Sequence, residues 1–215
     1  MKTRTIIIIF LFLLTTNSYV IMSKKTIAII TVFLALLIDQ ISKIYIKTHF
    51  EIQESIRVFD WFRIHFTENN GMAWGFEFGG KAGKLFLTLF RVVAVFGIIY
   101  WLRNTIKRNA PTVVIFAIAL VLSGAFGNII DSVFYGVIFD APAHGTATLF
   151  AENPYGELFH GRVVDMLYFP IYEGESFTFF NAIFNGADSF ITIGVILLFL
   201  FNKQAFPPEK KKEEK

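Results

Sequence analysis

Four stretches of roughly twenty mainly apolar residues, parted by charged connections, constrain this chain more than any other feature. They run from about Thr26 to Ile46, Leu85 to Leu102, Thr112 to Val133 and Ala182 to Phe201. A helix of that length crosses the hydrocarbon core of a bilayer. A mean hydropathy of +0.56 with 54% hydrophobic and 17% charged residues is too apolar for an ordinary soluble domain. The expected fold is an all-α membrane protein of four transmembrane helices. No internal repeat is visible, so a transporter of duplicated halves is disfavoured.

The basic residues set an orientation. Lys24 and Lys25 precede the first stretch, Arg103, Lys107 and Arg108 separate the second and third, and Lys203 with Lys210 to Lys212 follow the fourth. The positive-inside rule puts these at the cytoplasmic face, with both termini inside. A pI near 9.0 therefore reflects membrane topology and implies no nucleic-acid partner. The other two connections, about 47–84 and 134–181, face outward and hold most of the carboxylates. In the first, "SIRVFDWFRIHFTE" alternates with a period near two, and "NNG" at Asn69–Gly71 marks a turn. A small extracytoplasmic β-sheet is expected over about 47–80, with Trp61, Phe62 and Trp74 at interfacial depth. The second connection, rich in Pro, Gly and polar residues, reads as a loop over about 137–161.

Residues 1–21 do not fit this plan. The apolar run Ile6 to Leu14 is too short to span and looks like a signal-peptide core. Its cleavage would leave Lys24 and Lys25 outside, so the reading favoured over a true extra element is a natural start at Met22, with 1–21 a misplaced start or an addition. Residues 204–215 read as a charged cytoplasmic tail.

Acids at membrane depth are costly and mark function. Asp39, Asp131, Asp165 and Asp188 all fall at the outward ends of the spans. A ring of carboxylates at one interface suggests a site entered from outside; scattered ones would suggest an ion path. Two close carboxylates share a proton, and such a pair can activate water and protonate a leaving group. Asp188 also reads as a first-turn helix acid. Asp39 and Lys43, spaced i, i+4, also read as a helix-face ion pair. Asp131 reads as a helix-terminal polar residue or a partner of Lys43. Asn69, Asn128 and Asn185 could cap and turn, bind peptide carbonyls, or donate to the carboxylates. Arg91 is expected to snorkel or to pair with an acid. His144, His160, Glu152 and Glu157 match no zinc spacing, so neither metal nor cofactor is expected. The chain lacks cysteine, which removes thiolate chemistry. A proton-coupled transporter using the same acids is the rival reading.

The segments "DQISK" (39–43), "ENNGMAWG" (68–75), "GAFGNIID" (124–131), "GRVVDM" (161–166) and "FNGADSFI" (184–191) occur in the order found in lipoprotein signal peptidase, signal peptidase II. The chain resembles that family from about residue 26 to 202. The resemblance implies a four-helix membrane peptidase over 22–203, with Asp165 and Asp188 as its catalytic pair. It implies supporting or substrate-binding roles for Asp39, Lys43, Asn69, Gly71, Asn128, Asp131 and Asn185. It further implies lipidated prolipoprotein substrates cut before a diacylglyceryl-cysteine, contact with membrane lipid, inhibition by globomycin, and a metal-free monomer. Two departures stand out. Ser132 occupies the place where the family carries Arg, a charge that Arg162 could replace. The stretch from Phe134 to Gly161 is longer than the family's, which suggests a lid or substrate rim.

Overall fold

The computed structural model describes residues 22–71, 80–170, 172–173, 178–179 and 182–207. Trp74, the extension 1–21 and the tail beyond Pro207 lie outside them. Helix α1 runs over Lys24–His49, α2 over Gly80–Lys107 and α3 over Thr112–Ile130. A π-turn, Asp131–Tyr135, and a last helical turn, Gly136–Ile138, prolong α3. Helix α4 covers Gly186–Leu200 and the short α5 covers Asn202–Ala205. The strands are β1 (Ser55–Phe59), β2 (Phe62–Asn69), β3 (Val163–Tyr168), β4 (Tyr172–Glu173), β5 (Thr178–Phe179) and β6 (Ile183–Phe184). The fold is thus helical with a small sheet, as the hydropathy pattern predicts.

Local signals place the helix ends. The Ser23 side chain accepts from the Thr26 amide at 3.1 Å, and Lys47 and His49 lie in the last turn of α1, where a helix dipole favours cations. Pro111, which lacks a donor, precedes α3. Asn185 and Asp188 form a reciprocal capping box on α4.

Three units are long and apolar enough to cross a membrane: α1, α2 and α3 with its extension. The fourth differs from expectation. Helix α4 begins at Gly186, not Ala182, and has 15 residues. Ile183 and Phe184 are apolar but pair with Tyr168 and Leu167 of β3, so the sheet takes them from the helix. Helix α3 is the central member. Val114, Ile115, Ala117, Ile118 and Ala119 are at most 1% exposed, whereas α1 and α2 present Phe33, Ile38, Phe86, Phe90 and Phe96 outward. Such apolar outer faces suit lipid.

Glycines let α3 touch its neighbours. A Cβ on Gly124 would collide with the Ala187 carbonyl of α4, and one on Gly127 would lie 2.5 Å from Asp39 Oδ2 of α1. Small residues at helix contacts are how membrane bundles gain close packing.

The main sheet is antiparallel with order β1-β2-β3-β6, and β4 pairs with β5. Phe62, Phe169 and Phe184 stack in sequence at 4.9 and 5.6 Å, and Trp61 stacks on Phe169 at 6.0 Å. Trp61 is 60% exposed, as an interfacial aromatic would be. The expected loop 137–161 starts later, after the turn that ends at Ile138, and is strapped to α3. Gly156 donates to the Gly136 carbonyl at 2.8 Å, Phe159 to Val133 at 3.0 Å and Gly161 to Ser132 at 2.9 Å.

Candidate active site

The topology brings two acids to one place. Strand β3 is the second-to-last strand of the sheet, with β2 on one side and β6 on the other. Asp165 sits on β3 opposite Thr67, and Asn69 pairs opposite Val163 at the last rung of the β2–β3 ladder. The Asn69 side-chain amide donates to Asp165 Oδ2. On the far side, β6 runs into α4, so Asn185 and Asp188 follow within one helical turn of the end of β6, which pairs with β3. Asn185 donates to Asp165 Oδ1 at 2.7 Å, while its own Oδ1 accepts from the Asp188 amide at 3.0 Å. One fully buried asparagine therefore touches both acids.

Asn128, from α3, completes the frame. Its Nδ2 donates to Asp188 Oδ1 at 2.9 Å, and its Oδ1 accepts from Asn185 at 3.2 Å and from Lys43 Nζ at 2.9 Å. Asp165 is 4% exposed. Burial, and then the nearby Asp188 charge, push its carboxyl up to about 7; the bonds from Asn185 and Asn69 pull the other way and only partly offset the rise. Near neutrality this acid still keeps its proton in a large share of molecules, beside a second carboxyl group, and such a pair can act in general acid–base hydrolysis.

Beneath the pair lies a closed charge cluster. Lys43 contacts Asp39 at 3.0 Å and Asp131 at 2.9 Å, and all three are at most 1% exposed. The helix-face pair and the Lys43–Asp131 pair anticipated from sequence are thus present together. Asp39 also accepts from the Ala187 amide at 2.8 Å, placing an anion at the N-terminus of α4. Asp131 accepts from the Val164 amide at 3.3 Å, tying β3 to the end of α3. The three amides do bind the acids, as one of their anticipated roles required.

Two basic residues behave differently from expectation. The Arg162 guanidinium faces Glu68 at 3.5 Å and the Tyr155 ring at 5.3 Å, with no contact to either acid among the described residues. It is 48% exposed and so sits at the rim. Arg91 forms no carboxylate ion pair among the described residues; it donates to the Gly71 carbonyl. Ser132, at the position of the absent Arg, is buried and donates to the Asn128 carbonyl at 2.9 Å.

A family model described as signal peptidase (SPase) II matches residues 31–202. The chain belongs to the signal peptidase II family. A protein named lipoprotein signal peptidase from Porphyromonas gingivalis is 46% identical over 187 residues, covering 81% of each chain. One of the same name from Amoebophilus asiaticus is 32% identical over 195 residues, covering 84% of this chain and 79% of that one. Two solved structures, each titled a bacterial membrane enzyme, superpose with a TM-score of 0.57. Their identities are 27% and 28%; they cover 87% and 81% of this chain, and this chain covers 94% and 91% of theirs. Membership makes the chain a membrane peptidase.

Several members of this signal peptidase II site have weak signals in the sequence. Gln40 donates to Asp39 at 3.0 Å and to Asp131 at 3.0 Å, and accepts from the Tyr135 hydroxyl at 3.2 Å. Lys47, 2% exposed, pairs with Glu68 and lies 5.2 and 5.1 Å from the Phe139 and Tyr155 rings. The polar stripe Asp39, Lys43, Lys47 at a spacing of four could have flagged one helix face turned inward. Among the described residues no group of three or more His, Asp or Glu is placed to hold a metal.

Proposed function

We propose that this chain removes the signal peptide from bacterial prolipoproteins, cutting before a diacylglyceryl-modified cysteine with Asp165 and Asp188 as an aspartic dyad. The observation that carries the reading is the pair itself, joined through Asn185, with the Asp165 carboxyl lifted to about 7. Water sits between the two carboxyl groups. One carboxylate takes a proton from the water as its oxygen attacks the scissile carbonyl carbon. The protonated acid, Asp165 in the free enzyme, gives its proton to the carbonyl oxygen, producing a neutral gem-diol. As the diol collapses and the C–N bond breaks, the carboxyl that took the water's proton gives it to the cysteine nitrogen, and the ionised Asp165 takes back a proton from a diol hydroxyl. No metal or covalent enzyme intermediate is needed.

The remaining side chains serve this pair. Asn69, Asn128 and Asn185 fix the carboxyl groups; Lys43, Asp39 and Asp131 anchor β3 and α4, the two elements that carry them; Gly71 forms the turn after Asn69. Arg162 and the loop 139–162 form the rim. The site faces outward, with both termini in the cytoplasm. The substrate helix enters from the bilayer while its acyl chains stay in lipid. The enzyme acts as a monomer and is a target for globomycin-type cyclic lipopeptides, which occupy the same groove. Incubation of the purified protein with a diacylglyceryl-modified prolipoprotein tests the reading. Mass spectrometry should find the lipidated cysteine as the new N-terminus and globomycin should block its appearance. Cleavage elsewhere, or none by folded protein, refutes it.

A further inference from the structure

We propose that Arg91 is a positioning residue: it holds the Asn69–Gly71 turn so that the Asn69 amide reaches Asp165. The inference rests on the reading of Asp165 as a catalytic acid.

The hydrogen bonds run in one line. The Arg91 guanidinium, from within the apolar span of α2, donates to the Gly71 carbonyl. The Gly71 amide donates to Asn69 Oδ1 at 2.5 Å. That bond fixes which end of the Asn69 amide is the acceptor, so Nδ2 is the end that points at Asp165. The β2–β3 ladder ends at the Asn69–Val163 rung. Gly71 lies beyond it, and Arg91 supplies the hold that the sheet does not.

Gly71 is shaped for this contact. Its φ is +90°, a conformation open to glycine, and an added Cβ would lie 2.7 Å from Arg91 Nη1. Arg91 also lies within electrostatic reach of Asp188 and Asp131. A cation inside an apolar span is costly unless its donors are used. Here one of them, on Nη2, goes to a backbone carbonyl two residues from an asparagine that grips the dyad.

Epistasis tests the proposal in full-length protein in detergent, on a diacylglyceryl-modified prolipoprotein. The variants are Arg91→Gln, Asn69→Ala, the double variant, Arg91→Lys, Gly71→Ala and Asp165→Asn. Misplacing a catalytic group by about 1 Å costs on the order of 10²-fold. Arg91→Gln and Asn69→Ala should each lower kcat by about 10- to 100-fold and leave KM within about threefold. The double variant should be no worse than the worse single one, the non-additivity expected of one chain of contacts. Arg91→Lys should restore part of kcat. Gly71→Ala attacks the same contact from its other side, so it should reproduce the loss and stands in should Arg91→Gln not fold. Effects that multiply in the double variant, or a rise in KM at unchanged kcat, would overturn the proposal. Asp165→Asn separates the two failures. If it stays active, the dyad reading falls; if it is inactive while the other effects multiply, only the role of Arg91 falls.

Discussion

Asp165 illustrates how surroundings change the acidity of a short polar side chain. Its carboxyl rises to about 7 because burial and then Asp188 disfavour a second charge, against the pull of Asn185 and Asn69. The folded protein therefore keeps one proton on the pair until the pH reaches about 7. Above that the proton leaves, and in the proposed mechanism the acid needed at the carbonyl oxygen is gone. kcat/KM should then fall roughly tenfold per pH unit, with the bend near pH 7. A kcat/KM profile flat to pH 9 would contradict this. Lys43 shows the opposite use of charge. It stands between Asp39 and Asp131 with all three at most 1% exposed, so removing it strands two buried carboxylates. Lys43→Met should lower stability by about 3–5 kcal/mol, read as a depressed unfolding temperature in detergent.

At the scale of elements, the site depends on how closely α3, α4 and β3 approach. Gly124 admits the backbone of α4 at the Ala187 carbonyl, one residue before Asp188. Gly124→Ala should push α4 away, lower thermal stability by about 1–3 kcal/mol and cut kcat more than it raises KM. Wild-type stability and kcat in that variant would show that α4 does not rest on this contact. The boundary of α4 was also the least legible part of the fold. The run from Ala182 is apolar and reads as helix, but a partner strand some fifteen residues earlier takes Ile183 and Phe184 into the sheet. The four apolar stretches themselves were legible because span length and composition are local properties. The pairing Asp39–Lys43 was legible for the same reason, being one helical turn apart. Lys47–Glu68 and Arg91–Gly71 were not, since their partners are set by tertiary approach, and a backbone carbonyl leaves no mark on a sequence. The three asparagines lay between: their type was suggestive, and only the fold decides that they donate to the acids.

For the whole molecule, the account places the sheet and the dyad on the outer face and the basic ends inside. The chain contains no cysteine, so single-cysteine labelling needs no background removal. Cysteine at exposed Asp60 should react with an impermeant thiol reagent in intact cells, and cysteine at Arg108 only after lysis. The reverse pattern would invert the topology and move the site to the cytoplasm. The central claim is hydrolysis by Asp165 and Asp188 without a metal, and cleavage of a diacylglyceryl-modified prolipoprotein by purified protein tests it most directly. Wild type, Asp165→Asn, Asp188→Asn and wild type with EDTA should be compared. The account predicts processing by wild type that EDTA leaves unchanged. It predicts a loss of about 10²- to 10⁴-fold or more in each variant, with insertion and folding preserved. Undiminished cleavage by either folded variant, or abolition by EDTA, would contradict it.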